Sequence, residues 1–522
     1  MTVSSLTTLL VCLPIGAALV IWVLPLSRYA TGALAVLVSL LEVGIWIEQA
    51  ARFDFQRSGL QFSQRQSWIS DLHVSYHVGE YGFSLWLVGL TVICMAAAIG
   101  YGFWVGRDNA RAYFGLMLFL TGATVGVFVA QDLLLFYAFF EAMLIPLYVL
   151  VGVWGGPGRL GATVKFLIYT MAGSLLMLAA IIVYGLKVHT FDLVDSPTSY
   201  SRWLFLGFML AFAIKAPLFP FHGWLPDSYR EAPPEVTAVL SGVIAKAGTY
   251  GMLRIAITKF PDPAGFYRTS IMALAAAALI YGSILAFRAP DFRGVVAYSS
   301  MAQSGLIALG LFSGTGLGYD GAVLQMVAHG LVSVSLFLIA GAVERRTSTG
   351  EFKLLGGMAK GRPALATLLM TVGIISLAVP GSAAFAGEFL ILAGAYQLHW
   401  WWAVIGASGI VLAAMYMLRV ISAVLHREVG PAVSEAALDL RRGELAIVVP
   451  LVALLLALSA WPDAISGHSL PGTDGLRRVL AATPGASSRF DIIDLAGSNP
   501  PCTRSHGPVG TRVCSLIVVI KK

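Results

Sequence analysis

The sequence predicts an all-α polytopic membrane protein with about fourteen transmembrane helices. Apolar residues make up 58% of the 522-residue chain and charged residues only 12%, about half the usual charged share of a globular protein. Fourteen apolar runs are long enough to cross the hydrocarbon core, which takes about 20 residues of helix. This composition excludes a water-soluble enzyme and a disordered chain. The net charge of +7 is spread between the runs rather than gathered into a patch for nucleic acid.

The candidate helices also predict an orientation. No basic segment and no cleavage site mark the first run as a signal peptide, so we interpret it as a retained span. Loops after odd-numbered spans hold sixteen Lys and Arg residues, and loops after even-numbered spans hold seven. The positive-inside rule therefore places the odd loops in the cytoplasm and both termini outside. The spans begin near residues 4, 29, 81, 112, 131, 165, 203, 235, 270, 293, 320, 365, 401 and 445.

Two segments outside the spans differ from the rest of the chain. The outer loop over residues 50–80 contains an alternating stretch at 72–78, which predicts a short β-hairpin with His73 and His77 on one strand face. No third ligand lies near these histidines in the sequence, so we predict no metal site. From residue 466 onward Gly, Pro, Ser and Arg dominate, which predicts a disordered tail to which we assign no function.

Two kinds of cofactor motif are not supported. The four cysteines form no C-x-x-C pair, which excludes a Cys-ligated iron–sulfur cluster or a structural zinc within this chain. Residues 156–161 match G-x-G-x-x-G, but that fingerprint has meaning only between a strand and a helix of a βαβ unit. Here it joins two membrane spans, and we interpret it as a loop.

Five ionisable residues stand out inside apolar runs, where a charge is expensive and tends to mark an ion pathway. A single Glu–Lys pair can be structural, and a lone membrane histidine is often a packing residue. Five such groups on separate spans favour proton transfer, because a lysine that gains or loses an acidic neighbour switches between holding and releasing a proton. The five residues are Glu141, Lys215, Lys246, His329 and Glu388.

Helix-breaking residues lie in the same runs as several of these charges. Proline lacks a backbone N–H and frees the carbonyl four residues earlier, so it interrupts a helix. Broken backbone at membrane depth is tolerated only where it is buried in protein or lines water. One interrupted run in each half of the chain is typical of an inverted-repeat transporter. The predicted breaks are at Pro146, Pro217, Pro220, Pro380 and Gly381.

Four motifs that contain these residues carry a resemblance to a known family. In this order they resemble the antiporter-like membrane subunits of respiratory complex I, whose fold is shared by some subunits of Mrp-type sodium/proton antiporters. The similarity covers roughly residues 75–430. The glutamate at position 388, within Gly-Glu-Phe, is similar to subunit M, because the sister subunits L and N usually carry lysine at this position. The motifs are residues 139–146, 215–227, 231–233 and 246–254.

The resemblance implies a subunit with two inverted five-helix repeats and a broken helix in each half. It divides the chain into helices 1–3 with the outer loop (1–110), the first antiporter-like repeat (111–260), the second repeat (268–428), a last helix (440–465) and the tail (466–522).

The resemblance also implies a proton-translocating subunit of a type I NADH:quinone oxidoreductase, a translocase driven by redox chemistry in partner subunits. Glu141 and Lys215 would form the coupled pair, Lys246 the central relay, and His329 a link toward the exit residue Glu388. No redox centre or cofactor is expected in this chain. NADH, FMN, iron–sulfur clusters and quinone are expected in the partner subunits.

Partners and location follow from the same resemblance. The implied partners are other membrane-arm subunits, especially the sister subunits L and N, together with the lipid bilayer and without nucleic acid. The implied location is the bacterial inner membrane. Family members often carry a histidine where this chain has Gln303, which cannot titrate. A subunit of an Mrp-type antiporter and a subunit of a membrane-bound hydrogenase share the fold and stand as alternatives.

Overall fold

The computed structural model describes residues 5–469, apart from residues 58, 197 and 435–437. Most of these residues are helical, as the all-α prediction requires. Within this part of the chain, twelve helices are long and apolar enough to cross a membrane. The two other predicted spans, those beginning near residues 203 and 365, form helices that are interrupted midway. The prediction of about fourteen spans is therefore confirmed. The predicted tail lies outside the described residues from 470 onward.

The helices follow the predicted runs along the chain. The first group is α1 (Ser5–Val23), α2 (Arg28–Ala51), α3 (Gly82–Val105), α4 (Ala110–Val129), α5 (Leu133–Ala142), α6 (Leu144–Trp154) and α7 (Arg159–Val188). The second is α8 (Arg202–Lys215), α9 (Leu225–Glu231), α10 (Pro234–Val239), α11 (Lys246–Gly251), α12 (Pro261–Arg288), α13 (Phe292–Ser313) and α14 (Gly316–Thr347). The third is α15 (Pro363–Ser376), α16 (Ala383–Leu398), α17 (Trp400–Ile421), α18 (Arg442–Ala460) and α19 (Asp463–Ser466).

Several helices begin at a side chain that accepts hydrogen bonds from the free N–H groups of the first turn. Such caps satisfy donors that have no partner inside the helix. Each capping residue directly precedes an apolar run, so the caps and the hydrophobic pattern agree on where these helices start. The capping residues are Ser27 for α2, Asp132 for α5, Asp291 for α13, Thr315 for α14 and Ser382 for α16.

The centre of the protein is formed by the segment 234–257 and by α14, both of which are completely buried over their apolar windows. Helix α14 packs against α3, α10, α13 and α16. Only about a third of the apolar windows of helices α1, α2 and α18 is buried. A helix that is hydrophobic all round and buried within the bundle is held there by close packing rather than by water. These two central segments carry Lys246 and His329, two of the predicted site residues.

The outer loop forms the predicted hairpin, with one correction. Strands β1 (Gln61–Ile69) and β2 (Val74–Glu80) pair antiparallel. His73 does not share a strand face with His77, because His73 adopts a left-handed conformation (φ 55°) in the turn before β2. His77 is buried beneath the hairpin, where its Nδ1 lies 2.5 Å from Asp192 Oδ2 and its Nε2 lies 3.1 Å from Ser63 Oγ.

A set of polar contacts, here called the outer clamp, joins this hairpin to the start of α5. The clamp consists of His77, Asp192, Arg65 and Asp132. Arg65 lies 3.5 Å from Asp192, and Asp132 accepts a bond of 3.1 Å from the backbone N–H of Ser75 while it caps α5. Burial alone would raise the pKa of Asp192. Its hydrogen bonds with His77 and with backbone N–H groups outweigh burial, so the pKa lies below its ordinary value.

The glycine-rich segment 156–161 is a loop between α6 and α7, as predicted. The backbone N–H of Gly158 donates to the Glu231 carboxylate at 2.8 Å, and the N–H of Gly156 donates to the Glu231 carbonyl at 2.8 Å. A Cβ added at Gly158 would lie 2.8 Å from Glu231 Oε1, so a larger residue there would displace this carboxylate. The loop binds a carboxylate of the chain itself and is not part of a dinucleotide fold.

Candidate functional site

The first helix break lies beside Glu141. Helix α5 ends at Ala142, and α6 begins at Leu144, because Pro146 has no N–H to donate to the Ala142 carbonyl. Glu141 lies in the last turn of α5 and lines a groove of about 510 Å³ on the outside of the bundle. Ile145 lines the same groove and is 64% exposed. The Glu141 carboxylate therefore faces a surface that this chain alone does not cover.

Lys215 is the last residue of α8, directly before the second break. Pro217 and Pro220 cannot continue the helix, and the indole N–H of Trp224 donates to the Ile214 carbonyl at 3.0 Å. The Lys215 side chain is 2% exposed and makes no hydrogen bond to any described residue. Its Nζ lies 4.9 Å from the centroid of the Phe140 ring, a cation–π distance.

Glu141 and Lys215 are close but do not form an ion pair. Among the described residues, no carboxylate oxygen lies within the 4 Å of Lys215 Nζ that defines a salt bridge, and one oxygen of Glu141 is buried without a hydrogen-bond partner. The two groups interact electrostatically across this gap. The Phe140 ring lies beside the lysine, directly before Glu141 in the chain. The pair is thus arranged so that a small displacement changes its attraction.

Lys246 lies where the central helix is wound more loosely. The segments Leu240–Ile244 and Met252–Ile257 are π-helical and flank α11, which begins at Lys246. Single π-turns are frequent at functional sites. The Lys246 ammonium donates to the Ser241 carbonyl at 3.0 Å. The Ser241 hydroxyl in turn bonds to Ser300 at 2.6 Å and to Ser333 at 2.5 Å, so three helices share one buried hydroxyl cluster.

The segments that carry Lys215 and Lys246 pack backbone to backbone. A Cβ added at Gly248 would lie 2.6 Å from the Phe212 carbonyl and 2.7 Å from the Ala216 N. Only a glycine at this position allows α11 to approach the end of α8 so closely. This approach brings the two lysine-bearing segments side by side without a direct contact between the ammonium groups.

The third break precedes Glu388. Helix α15 ends at Ser376 and α16 begins at Ala383, with Gly381 between them at φ 93°, a value that favours glycine. Glu388 is 2% exposed, and its Oε1 accepts a hydrogen bond of 2.9 Å from the Gln303 amide. Gln325 donates to the Gln303 Oε1 at 2.8 Å.

His329 lies on α14 between the serine cluster and Gln325. It is buried, and its Nε2 has no hydrogen-bond partner among the described residues. Ser333 follows one turn later and Gln325 precedes it by one turn, so the three side chains share a face of α14. The structure therefore brings Lys246, the serine cluster, His329 and Glu388 together in the interior of the bundle, while Lys215 lies on a neighbouring segment and Glu141 lines the groove at the side. Such a row of polar groups, flanked by broken helices, is suited to moving protons between titrating groups.

Sequence reasoning missed some members of this interior. Gln325, Ser241 and Ser300 are neutral, and a search for charges in apolar runs passes over them. Glu42 on α2 is different, because it is a carboxylate in an apolar run that the same search should have found. It is completely buried, and neither of its oxygens has a hydrogen-bond partner in the described part of the chain.

Comparisons with known proteins agree with this geometry. Residues 130–414 match the family described as NADH:quinone oxidoreductase/Mrp antiporter, transmembrane. NADH-quinone oxidoreductase subunit M of Rickettsia prowazekii is 35% identical over 447 residues, which cover 84% of this chain and 90% of that protein.

Two solved structures share the fold. A chain of respiratory complex I from Thermus thermophilus is 31% identical with a TM-score of 0.82, covering 91% of this chain and 99% of that one. A chain of the Mrp complex from Dietzia matches with the same TM-score at 20% identity, covering 92% of this chain and 100% of its own, which shows the fold alone. With its family match, broken helices and buried charges, this chain belongs to the NADH:quinone oxidoreductase/Mrp antiporter transmembrane family.

Proposed function

We propose that this chain is the proton-translocating subunit M of a type I NADH:quinone oxidoreductase. The observation that carries the proposal is the set of ionisable residues beside three helix breaks, of which Lys215, Lys246, His329 and Glu388 are buried and Glu141 lines a groove. The similarity to subunit M and to a complex I chain over most of the length supports the same function. The enzyme is then a translocase, and this chain supplies its proton path.

The first step of the proposed mechanism takes place at Glu141 and Lys215. Because no direct ion pair holds them, their attraction depends on the geometry of α5 and α8. A charge or conformational change in a neighbouring subunit alters that attraction through the groove beside Glu141. When the attraction weakens, the Lys215 ammonium releases its proton toward Lys246.

The second step passes through the central helix. Lys246 is hydrogen-bonded to the π-helical turn, whose Ser241 hydroxyl connects to Ser300 and Ser333. Hydroxyl groups both donate and accept, so this cluster is able to hold and reorient a proton-carrying water chain. His329 lies one turn from Ser333, and Glu388 ends the row of polar groups as the exit group. Lys246 is therefore the central relay in this scheme.

We place the redox chemistry in partner subunits. The chain has no C-x-x-C motif, and its described residues contain no group of three or more His, Cys, Asp or Glu side chains arranged to hold a metal ion. NADH, FMN, iron–sulfur clusters and quinone then belong to the other subunits of the enzyme. The sister subunits L and N are the proposed neighbours, and one of them covers the groove at Glu141. The location is a bacterial inner membrane, with both termini outside.

Affinity purification of the tagged chain from membranes tests this function. We expect NADH:quinone oxidoreductase activity to copurify with the chain, and NADH oxidation to drive proton uptake into vesicles that contain the complex. Sodium/proton exchange in the absence of NADH, with no associated oxidoreductase, would instead assign the chain to an Mrp-type antiporter. Copurification of a hydrogenase activity would instead assign the chain to a membrane-bound hydrogenase.

A further inference from the structure

Two glutamines fill the space between His329 and Glu388. Gln325 is 1% exposed, and its Nε2 donates to Gln303 Oε1 at 2.8 Å. The Gln303 Nε2 donates to Glu388 Oε1 at 2.9 Å, and Gln325 Nε2 also reaches that oxygen at 3.4 Å. One oxygen of the exit carboxylate is therefore held by two amide groups, which are neither acids nor bases at physiological pH.

The other polar atoms of these side chains are available to bind water. Glu388 Oε2, Gln325 Oε1 and His329 Nε2 are buried and have no hydrogen-bond partner among the described residues. Buried polar atoms in proteins are nearly always satisfied by protein groups or by ordered water. Gln325 and His329 are separated by about 6 Å along the helix, a distance that one or two water molecules span.

The backbone is shaped to admit the Gln325 amide. A Cβ added at Gly387 would lie 2.6 Å from Gln325 Oε1 and 3.1 Å from Gln325 N. Any larger residue directly before Glu388 would push the amide away from its position. Gly387 thus allows α14 to present a polar side chain at close range to the exit carboxylate.

We propose that Gln325 is a positioning residue of the proton pathway. Its amino group, together with Gln303, fixes Glu388 Oε1, and its carbonyl holds a water between His329 and Glu388. In the transfer step His329, in its imidazolium form, gives the Nε2 proton to the water and becomes the neutral Nδ1–H tautomer, while the water gives another of its protons to Oε2 of the ionised Glu388. One proton enters and one leaves, and both amides remain unchanged. This inference rests on the proposed function, because it assigns a residue to that same pathway.

A purely structural amide pair would satisfy both of its ends within the protein. Here the amino groups are bonded to Gln303 and Glu388, whereas the carbonyl of Gln325 is left open on the helix face that carries His329. The arrangement orients one carboxylate oxygen and keeps the other available. It also explains how this chain functions with Gln303 at a position where a titrating histidine is common in the family.

The test uses the assembled enzyme in inverted membrane vesicles. Gln325→Met keeps the side-chain length but removes the donor and the acceptor. We expect it to assemble and to slow NADH-driven proton uptake by about tenfold, the effect of losing one hydrogen bond to a charged group. We also expect a larger solvent deuterium isotope effect, because the transfer between His329 and Glu388 becomes rate-limiting. Gly387→Ala, which displaces the amide without removing it, should lower the rate in the same direction.

Ser335→Ala is the matched control. Ser335 is a buried polar residue on the same helix, but its hydroxyl bonds only to the Leu331 carbonyl of its own helix at 2.8 Å. It should leave both the rate and the isotope effect unchanged. If Gln325→Met fails to assemble, Gln325→Asn and Gly387→Ala decide the question by the same two measurements.

The outcomes separate this inference from the proposed function. Parental proton uptake and isotope effect in an assembled Gln325 variant, with slow uptake in Glu388→Gln, would overturn the role of Gln325 and leave the pathway standing. Parental uptake in Glu388→Gln as well would contradict both the role of Gln325 and the proposed proton pathway. Slow uptake with an unchanged isotope effect would reduce Gln325 to a structural residue and also overturn the inference.

Discussion

At the scale of single residues, three buried ionisable groups of the candidate site are held by neutral neighbours rather than by ion pairs. Lys215 lies against an aromatic ring, Lys246 bonds to a backbone carbonyl, and Glu388 accepts from an amide. A charge that is locked into an ion pair is costly to move, because breaking the pair leaves both partners unsatisfied. Neutral partners keep these groups solvated within the protein while they remain able to change protonation.

Glu141 provides the sharpest test of this view. Glu141→Gln keeps the shape and hydrogen bonding but removes the charge that attracts Lys215. We expect the complex to assemble, and proton uptake and electron transfer to fall together by about tenfold or more, because the two processes are coupled. Glu141→Asp should be milder. Proton uptake in vesicles, with assembly checked on native gels, gives the measurement.

The structure adds a rescue experiment. Ile145 lines the same groove as Glu141 and is exposed there. The double variant Glu141→Gln with Ile145→Glu returns a carboxylate to that groove about one turn away. We expect it to regain part of the lost activity. An assembled Glu141→Gln enzyme that pumps at the parental rate would show that the pair is only structural.

A second residue-scale prediction compares Glu388 with Gln303. Glu388→Gln removes the titrating exit group and should slow coupled turnover strongly. Gln303→His places a ring with donor and acceptor nitrogens at the same point and should be tolerated better. Deamino-NADH oxidation by membranes that contain the assembled complex compares the two variants. Equal or greater loss in Gln303→His would indicate that the amide of Gln303 matters more than the charge of Glu388.

The sequence pointed to the ionisable residues of the candidate site but not to their neutral partners. An ionisable side chain in an apolar run is visible because its burial is expensive. Gln325 and Ser241 carry no such signal, and their roles depend on which helices pack together. The sequence shows that Gln325 precedes His329 by four residues, but only the position of α16 shows that Gln325 lies beside Glu388.

At the scale of elements, the sequence predicts helix breaks more easily than it predicts on which face of a strand a residue lies. A proline inside a helix removes one backbone hydrogen bond, so the three breaks were predictable from local chemistry, although α1 and α18 continue through Pro14 and Pro450. The face of a strand on which a residue lies depends on where the preceding turn ends. His73 occupies a left-handed turn position, which shifts it off the strand that contains His77. The π-helical turns around Lys246 were also not predicted, because no residue composition is specific to a π-helical turn.

The outer clamp gives a prediction for the hairpin. Asp192→Asn removes the charge that His77 and Arg65 contact, and we expect the hairpin to lose about 1–3 kcal/mol of local stability at neutral pH. Hydrogen exchange of the β2 amides, corrected for intrinsic rates, measures the change. Asp195→Asn is the control, since Asp195 is 59% exposed and its ion pair with Arg65 should contribute little.

The same clamp has a defined pH dependence. The pKa of Asp192 is lower in the folded protein than its ordinary value, so its contribution is complete above the unfolded pKa of about 3.9. It is lost as the pH falls through the depressed folded pKa. We therefore expect hairpin protection to be constant from neutral pH down to about 4 and to decline below it. A decline that begins near neutral pH would contradict the assignment to Asp192.

At the scale of the whole molecule, the distribution of basic residues predicts which face is cytoplasmic. Ser348 follows α14 and Ser67 lies in β1, and both are exposed. In a chain whose native cysteines are replaced by serine, Ser67→Cys should react with an impermeant thiol reagent added to intact cells. Ser348→Cys should react only after the cells are opened. The opposite pattern would reverse the orientation.

The number of spans was predictable at this scale, whereas the packing of the two lysine-bearing segments was not. Hydropathy alone counts helices, since every span must be apolar. The approach of α11 to α8 depends on Gly248, whose missing side chain matters only when the Phe212 carbonyl lies 2.6 Å from where a Cβ would be. Many glycines occur in the spans, and the sequence does not distinguish those that allow such contacts.

The open groove at Glu141 has a consequence for biogenesis. A newly inserted copy of this chain exposes a carboxylate at the side of its bundle, where only lipid tails would cover it. A carboxylate beside lipid is costly, so a copy of the chain without a neighbour over this groove would be less stable than an assembled one. Covering the groove with a neighbouring subunit would remove that cost.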